Sequence, residues 1–503
     1  MTVTKLELQK TSTGIVGLDD ILGGGWPMGR LYLVLGNPGT GKTTLGMQFL
    51  LEGVNAGERV LYMSLSETTA EIGQVAASHG WSLDGVALYE LSAAEQVLGL
   101  ARESSMFDPS EVEFRATTRA ILQEIERVEP TRVVFDSLSE LALLAREPLA
   151  FRRELLLLKQ VFLARGATVL LLSDQTTPDA DLQLQSLTHG VLELEELAPE
   201  FGGERRRLRV RKLRGSKYRS GYHDYRIETG GLLVFPRLVP AEHSKVDVGE
   251  PLSSGMADFD ALLGGGLPRG SSTLLMGPAG SGKSTLVAQF VAAALGEGHS
   301  VLLILFDETT ESFLRRSEKL GIGLLRFVDE GLLTLTLVNA AELCPGELST
   351  LVREHVERSG TKLVVLDSLN GYIHAMPEER FLLLHIHELL TYLNLVGVTT
   401  LMTLAQHGFV GSMRSPVDLT YMADAVLLLR FFESQGRILR AISMVKNRVG
   451  GHENTIRQIS IESGGIRLGQ PLTQFQGVLT GVPIFTGDSM TLLEQTRAEP
   501  DDG

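Results

Sequence analysis

Two long stretches of this chain repeat one another in order, and that repetition limits the possible fold more than any other feature. LGGGWPMGRLYLVLGNPGTGKTT begins at Leu22, and LGGGLPRGSSTLLMGPAGSGKST begins at Leu263. Later landmarks recur in the same order with small drift: Gly36 and Gly277, Asp136 and Asp367, Gln175 and Gln406, Lys212 and Lys446. A unit of roughly 240 residues is far longer than a solenoid repeat, so each copy predicts a complete domain with its own core. The expected boundaries are residues 1–240, 241–480 and a tail over 481–503, with the junction near Pro236 to Pro251. The mixed charge and prolines there break any periodicity.

Within each copy, short apolar runs alternate with helical stretches. RLYLVLG, RVLYMSLS, RVVFD and GATVLLLSD read as strands buried on both faces, the composition of a parallel sheet covered by helices. GKTTLGMQFLLEGVNAG reads as a helix closed by glycine. HGVLELEEL, RRRLRVRKLRG and GLLVFP read as antiparallel strands extending the sheet. The predicted fold class is α/β, two tandem RecA-like P-loop NTPase domains, each mostly parallel with an antiparallel extension.

Two segments match G-x-x-x-x-G-K-[ST], each after a strand and before a helix. One is Gly36, Asn37, Pro38, Gly39, Thr40, Gly41, Lys42 and Thr43, followed by Thr44. The other is Gly277, Pro278, Ala279, Gly280, Ser281, Gly282, Lys283 and Ser284, followed by Thr285. The glycines let successive backbone N–H groups wrap phosphates, and the helix adds its positive end. The pattern predicts ATP with Mg²⁺: Lys42 and Lys283 on the phosphates, Thr43 and Ser284 on the metal. Asp136 and Asp367 end strands at the carboxyl edge, where they are expected in the Mg²⁺ shell. Glu67 and Glu308 follow the second strand of each copy, where a carboxylate could orient or deprotonate water. Gln175 and Gln406 close the fourth strand and are candidate γ-phosphate sensors.

The formal charge of −15 argues against wholesale binding to nucleic acid or a membrane surface. The basic run Arg205 to Arg214 alternates with Leu208 and Val210, the pattern of a strand with a charged face. Its Lys212 and Arg214 recur as Lys446 and Arg448, which suits phosphate stabilisation across a subunit boundary. Cys344 is the single cysteine, so a disulfide within the chain and a cysteine-rich metal site are excluded. No apolar run reaches the ~18 residues of a membrane span, and the start MTVTKLELQK has no signal core, so the cytoplasm is the expected compartment.

These motifs together resemble the KaiC family, duplicated RecA-like ATPases and autokinases of circadian clocks. The resemblance covers nearly the whole chain and rests on the twin P-loops, the acidic position after the second strand, DSLSEL and DSLN, and the segments KLRGS and KNRVGG. It implies a homo-oligomeric ring, usually of six subunits, with ATP between neighbours, and Lys212, Arg214, Lys446 and Arg448 reaching the adjacent subunit's nucleotide. It implies Asp307 and Glu308 as the acidic pair of the second copy. The first copy departs from the family pattern, with Ser66 beside Glu67. The family's phosphorylated pair aligns with Thr420 and Tyr421, of which Thr420 keeps a hydroxyl nucleophile; Ser415 is a fallback acceptor. A KaiB-like or signalling partner is conceivable from the resemblance, whereas the short tail transfers no KaiA partnership.

The expected function is therefore an ATPase that autophosphorylates Ser/Thr in its second domain as a nucleotide-driven switch or timer. Two alternatives are a DNA-dependent RecA-type recombinase or helicase and a nucleotide-gated assembly scaffold with little catalysis. The candidate DNA-facing loops are almost without basic residues, which disfavours the first, and Ser66 gives the second its rationale.

Overall fold

The computed structural model describes residues 8–91, 109–145, 148–175, 184–198, 202–243, 246, 249–374, 382–408, 418–480 and 484–485. The chain divides into two units, Met1–Arg237 with Cys344–Thr350, and Leu238–Leu343 with Leu351–Gly503.

The first unit is built on a nine-stranded sheet. Its strands are β1 (Leu31–Gly36), β2 (Val60–Ser64), β3 (Val86–Glu90), β4 (Arg132–Asp136), β5 (Thr168–Ser173), β6 (Gly190–Leu197), β7 (Arg205–Leu213), β8 (His223–Glu228) and β9 (Gly231–Phe235). Across the sheet they run β3-β2-β4-β5-β1-β6-β7-β8-β9. The six from β3 to β6 are parallel and the last three extend the sheet antiparallel. The apolar runs of β1, β2, β4 and β5 are buried at every position, as strands covered on both faces require.

The second unit repeats this sheet strand for strand. It comprises β10 (Ser272–Gly277), β11 (Val301–Leu305), β12 (Leu333–Leu337), β13 (Leu363–Asp367), β14 (Thr399–Ala405), β15 (Ala425–Ser434), β16 (Arg437–Asn447), β17 (Ile456–Glu462) and β18 (Gly465–Pro471). Their order is β12-β11-β13-β14-β10-β15-β16-β17-β18. The mixed sheets agree with the expected α/β class. One detail differs: HGVLELEEL, expected antiparallel, forms β6 parallel to the central strand β1, and only β7 reverses direction. Its apolar-acidic alternation reports burial on one face and carries no information on direction. The edge strand β3 and the strand β8 were not anticipated: β3 offers only a short run, VALY, and is half-buried throughout, and β8 alternates polar and apolar residues.

One buried charge organises the amino-terminal end of the first sheet. Arg132 opens β4 at 2 % exposure. Its guanidinium donates to Glu58 Oε2 at 3.0 Å and Oε1 at 2.7 Å, and to the carbonyls of Ser12 and Phe49 at 2.9 Å each. It also lies 4.8 Å over the Phe49 ring. The register puts Leu363 at the same place in the second sheet, so this network belongs to the first unit alone.

Candidate nucleotide-binding sites

Strand β1 ends at Gly36 and the helix α1 (Lys42–Asn55) begins six residues later; β10 and the helix α2 (Lys283–Gly296) stand in the same relation. Gly41 and Gly282 cap these helices with φ of 86° and 107°, a left-handed conformation that residues with a Cβ rarely adopt. Asn37, Pro38 and Gly39 are exposed on the turn, while Thr40 is buried beneath it and donates to the Asn37 carbonyl at 2.8 Å. Ser281 is the buried counterpart in the second turn, where Pro278 follows Gly277.

Both lysines curl back over their own turns. Lys42 Nζ donates to the carbonyls of Gly36 at 2.9 Å and Asn37 at 3.0 Å, and pairs with Asp174 Oδ1 at 2.9 Å. Lys283 Nζ donates to the carbonyls of Gly277 at 2.9 Å and Pro278 at 2.8 Å. Burial lowers the Lys283 ammonium to about 8, against the opposing charge of Asp367. Thr44 and Thr285 are buried on their helices, and Thr44 Oγ1 lies 3.4 Å from His79 Nε2.

Asp136 and Asp367 lie beside the hydroxyls that open the two helices. Thr43 Oγ1 donates to Asp136 Oδ2 at 2.8 Å, and the Tyr62 hydroxyl donates to the same oxygen at 2.7 Å. In the second unit burial pushes the Asp367 carboxyl up, opposed by hydrogen bonds from Thr403 and Ser284. A hydroxyl and a carboxylate side by side at a helix start are hard oxygen donors suited to Mg²⁺. Among the described residues no group of three His, Cys, Asp or Glu side chains could hold a metal by itself, so a cation here would also draw on phosphate oxygens.

The two acidic positions differ between the units. Glu67 sits in a turn fixed by Ser64, whose hydroxyl donates to the Glu67 carbonyl at 2.7 Å and accepts its N–H at 2.9 Å. Its Oε2 is buried without a hydrogen-bond partner, and burial, with the charges of Asp136 and Glu71, raises its carboxyl above the ordinary value. Glu308 is instead clamped by Arg316 Nη1 at 2.8 and 2.7 Å and by the Ser312 hydroxyl at 2.9 Å. Asp307 accepts from Ser368 Oγ at 2.5 Å, next to Asp367. In protein carrying Lys42→Ala, Asp307→Asn should therefore slow second-site hydrolysis at least tenfold more than Glu308→Gln. Steady-state turnover of the two variants checks this, and equal losses would return Glu308 to the same standing.

Not every expected residue reaches a P-loop of its own chain. Gln175 Nε2 donates to Glu193 Oε1 at 3.0 Å, whereas the Gln406 backbone N–H donates to the Gly277 carbonyl at 3.0 Å. Lys212 is level with Val191 and Leu33, below Gly36, and its ammonium binds the Gln185 carbonyl. Arg214 Nη2 lies 3.4 Å from the Ser186 carbonyl. Lys446 donates to the carbonyls of Thr420 and Ala423 at 2.6 Å each, and the Arg448 N–H donates to the Asp424 carbonyl at 2.9 Å. These four residues lie toward the amino ends of the parallel strands, away from the P-loop edge. Thr420 is there too, its hydroxyl donating to Asp418 at 2.6 Å, and Tyr421 is 54 % exposed. Ser415 lies outside the described residues.

Four of the five arginines of β7 pair with glutamates. Arg207 pairs with Glu195 at 2.8 Å, Arg211 with Glu193 at 2.8 Å, Arg206 with Glu196 at 3.1 Å, and Arg209 with Glu193. Sequence reasoning missed Asp174, Tyr62 and Arg316. Only Asp174 left a readable signal, a carboxylate at the end of the fourth strand.

The family model described as "ATPase: KaiC" covers residues 11–239 and again 252–473. The Circadian clock oscillator protein KaiC of Parathermosynechococcus lividus is 27% identical over 494 residues, spanning 95% of this chain and 88% of that protein. The protein of the same name from Acaryochloris marina is 27% identical over 497 residues, spanning 95% and 92%. The Circadian clock protein KaiC3 of Synechocystis is 23% identical over 494 residues, spanning 96% of each. No described helix is long and apolar enough to cross a membrane.

Proposed function

Because the chain belongs to the KaiC family of ATPases, we propose that it binds Mg·ATP at both P-loops, hydrolyses it, and passes phosphate to Thr420 within a homo-oligomeric ring, hexameric as the resemblance implies. The observation that carries the ATP reading is the repeated junction of buried lysine, helix-start hydroxyl and strand-end aspartate, Lys42–Thr43–Asp136 and Lys283–Ser284–Asp367.

Each group has a chemical task. The backbone N–H groups of the turns and the helix starts hold the phosphates, and Lys42 and Lys283 offset their charge. Thr43 with Asp136, and Ser284 with Asp367, would hold Mg²⁺, whose charge would offset that of the phosphates. Glu67 takes the proton of an attacking water in the first site, its raised carboxyl bringing it closer to neutral operating pH. In the second site Asp307 accepts the proton of a hydroxyl nucleophile. That nucleophile is Thr420 of another subunit, because Thr420 lies toward the opposite end of its own strands from Gly277. Lys446, bound to the Thr420 carbonyl, brings a cation to the transferring group.

A cytoplasmic nucleotide-driven switch or timer is the role that follows, with a KaiB-like or signalling protein as its reader. The glutamate pairing of β7 leaves little uncompensated positive charge for a DNA backbone, which disfavours the recombinase reading.

The test is incubation of the purified protein with Mg·ATP, followed by phosphate release and phosphopeptide mapping. Phosphate on Thr420 that is absent from Asp307→Asn protein is the expected result. Phosphate release without any phosphopeptide would leave an ATPase that is no kinase.

A further inference from the structure

The second unit carries a cavity of about 500 Å³ at the amino ends of its parallel strands, on the opposite edge of the sheet from the Gly277 turn. Arg269 lies three residues before β10, His299 two before β11 and Lys362 directly before β13, and all three line it. Glu250 and Glu297 line it as well. Arg269 Nη2 donates to His299 Nε2 at 2.7 Å, and its Nε donates to the Glu250 carbonyl at 3.1 Å. A guanidinium only donates, so His299 Nε2 accepts and the ring is neutral. Burial first, and the charge of Arg269 next, hold the His299 imidazole below its ordinary value, and the charge of Lys362 acts in the same direction. Three basic side chains therefore converge on one cavity.

Register identifies the same corner of the first unit, and it is filled differently there. Val60 pairs with Arg132 as Val301 pairs with Leu363, so Glu58 stands where His299 does and Thr131 where Lys362 does. Glu58 accepts from both Arg132 and Thr131, and the charges are satisfied within the chain. In the second unit that carboxylate and its arginine are replaced by His299 and Leu363, and Arg269 stands where the first copy has Met28. Lys362 is exposed, and its ammonium has no hydrogen bond or ion pair among the described residues. Glu297 lies 3.4 Å from His299 Nε2, and no ion pair joins either glutamate to Arg269 or Lys362. The lining thus has a basic part and an acidic part that do not neutralise one another.

We propose that this cavity binds a small phosphate monoester, its phosphate held by Arg269 and Lys362 and the hydroxyl groups of its body by Glu250 and Glu297. Two permanent cations with unspent donors match the nearly double charge of a phosphate, and the guanidinium fork suits its oxygens. The unpaired carboxylates repel a second acidic group and accept hydroxyl protons, which selects a polyol body over a second acid. The volume falls in the range of small-molecule sites and exceeds what a phosphate group alone would fill. The first unit offers no such site, because Arg132 and Glu58 close the same corner on each other.

Calorimetric titration of the full-length protein tests this, with a non-hydrolysable ATP analogue and Mg²⁺ present throughout to occupy the P-loops. The probes are glycerol 3-phosphate, inorganic phosphate and succinate, and glycerol 3-phosphate should bind the tightest of the three. Lys362→Ala and Arg269→Gln should each weaken its binding about tenfold or more, the scale of one charge-assisted contact. Lys362→Arg, which keeps the charge, should restore it. Lys362 is exposed, so its substitution tests the site without disturbing the core. Removing both carboxylates, Glu250→Gln with Glu297→Gln, should narrow the gap between the ester and inorganic phosphate. No binding of the ester by the parent protein overturns the proposal, as does an affinity unchanged in Lys362→Ala. Inorganic phosphate or succinate binding as tightly as the ester overturns it too, because the body or the head of the ligand would then be wrong.

Discussion

Glu67→Gln should cut ATP hydrolysis at the first site by on the order of 10²-fold or more. The substitution keeps size and hydrogen-bonding capacity, so the loss reads the carboxylate alone. Glu67 is the acidic group after the second strand in this unit, because Ser66 holds the place of Asp307. Its Oε2 is buried and unpaired, whereas Glu308 is spent on Arg316. The sign of its pH dependence follows from its raised carboxyl. A base must be ionised to accept a proton, so activity falls as pH drops through the raised value, and the acid limb lies above the ordinary glutamate range. Phosphate release by Lys283→Ala protein, with and without Glu67→Gln, measures both effects. Retention of full activity by Glu67→Gln would remove it from the chemistry.

The largest expected effect on stability is at the far end of the same sheet. Arg132→Ala should cost about 3–5 kcal/mol, the usual result of removing one partner from a buried charge network. Four acceptors lose a donor, the Ser12 and Phe49 carbonyls among them, and Glu58 Oε2 is left with the Thr131 hydroxyl. Hydrogen bonding from Arg132 is the main cause holding the Glu58 carboxyl below its ordinary value, against burial. A depressed carboxyl contributes stability above its unfolded value and loses it as pH falls through the folded one. Arg132→Ala should therefore flatten the acid limb of the stability profile as well as lower it. Trp26 and Trp81 are the chain's two tryptophans, so fluorescence-monitored urea unfolding reports the first unit selectively. An unchanged midpoint at neutral pH would contradict the network's importance.

What could be read from the sequence was what local chemistry dictates. A phosphate-wrapping turn needs its glycines, lysine and hydroxyl within eight consecutive positions, and a strand-end aspartate follows its own apolar run. Both therefore survive as strings and recur in the second copy. The contacts that distinguish the two sites join residues far apart in the chain: Asp174 with Lys42, and Tyr62 with Asp136. They depend on strand order and register, which no single segment encodes. The direction of β6 was misread for the same reason, since alternation shows which face is buried and not which neighbour a strand takes. Arg316 escaped notice although it lies only eight positions from Glu308, because one of several charged residues on a helix, with Arg315 and Lys319 beside it, ordinarily reads as solvated charge.

The amino-end placement of Thr420, Lys446 and Arg448, away from the Gly277 turn of their own sheet, has a kinetic consequence. If Thr420 is the acceptor proposed above, a chain whose acceptor lies at the opposite end of its strands from its own P-loop cannot label itself alone. Phosphate incorporation per chain should then fade on dilution, and a large excess of Thr420→Ala chains should not prevent a wild-type chain from being labelled by its neighbours. Chains lacking Lys283, in contrast, would starve the acceptors beside them while remaining acceptors themselves.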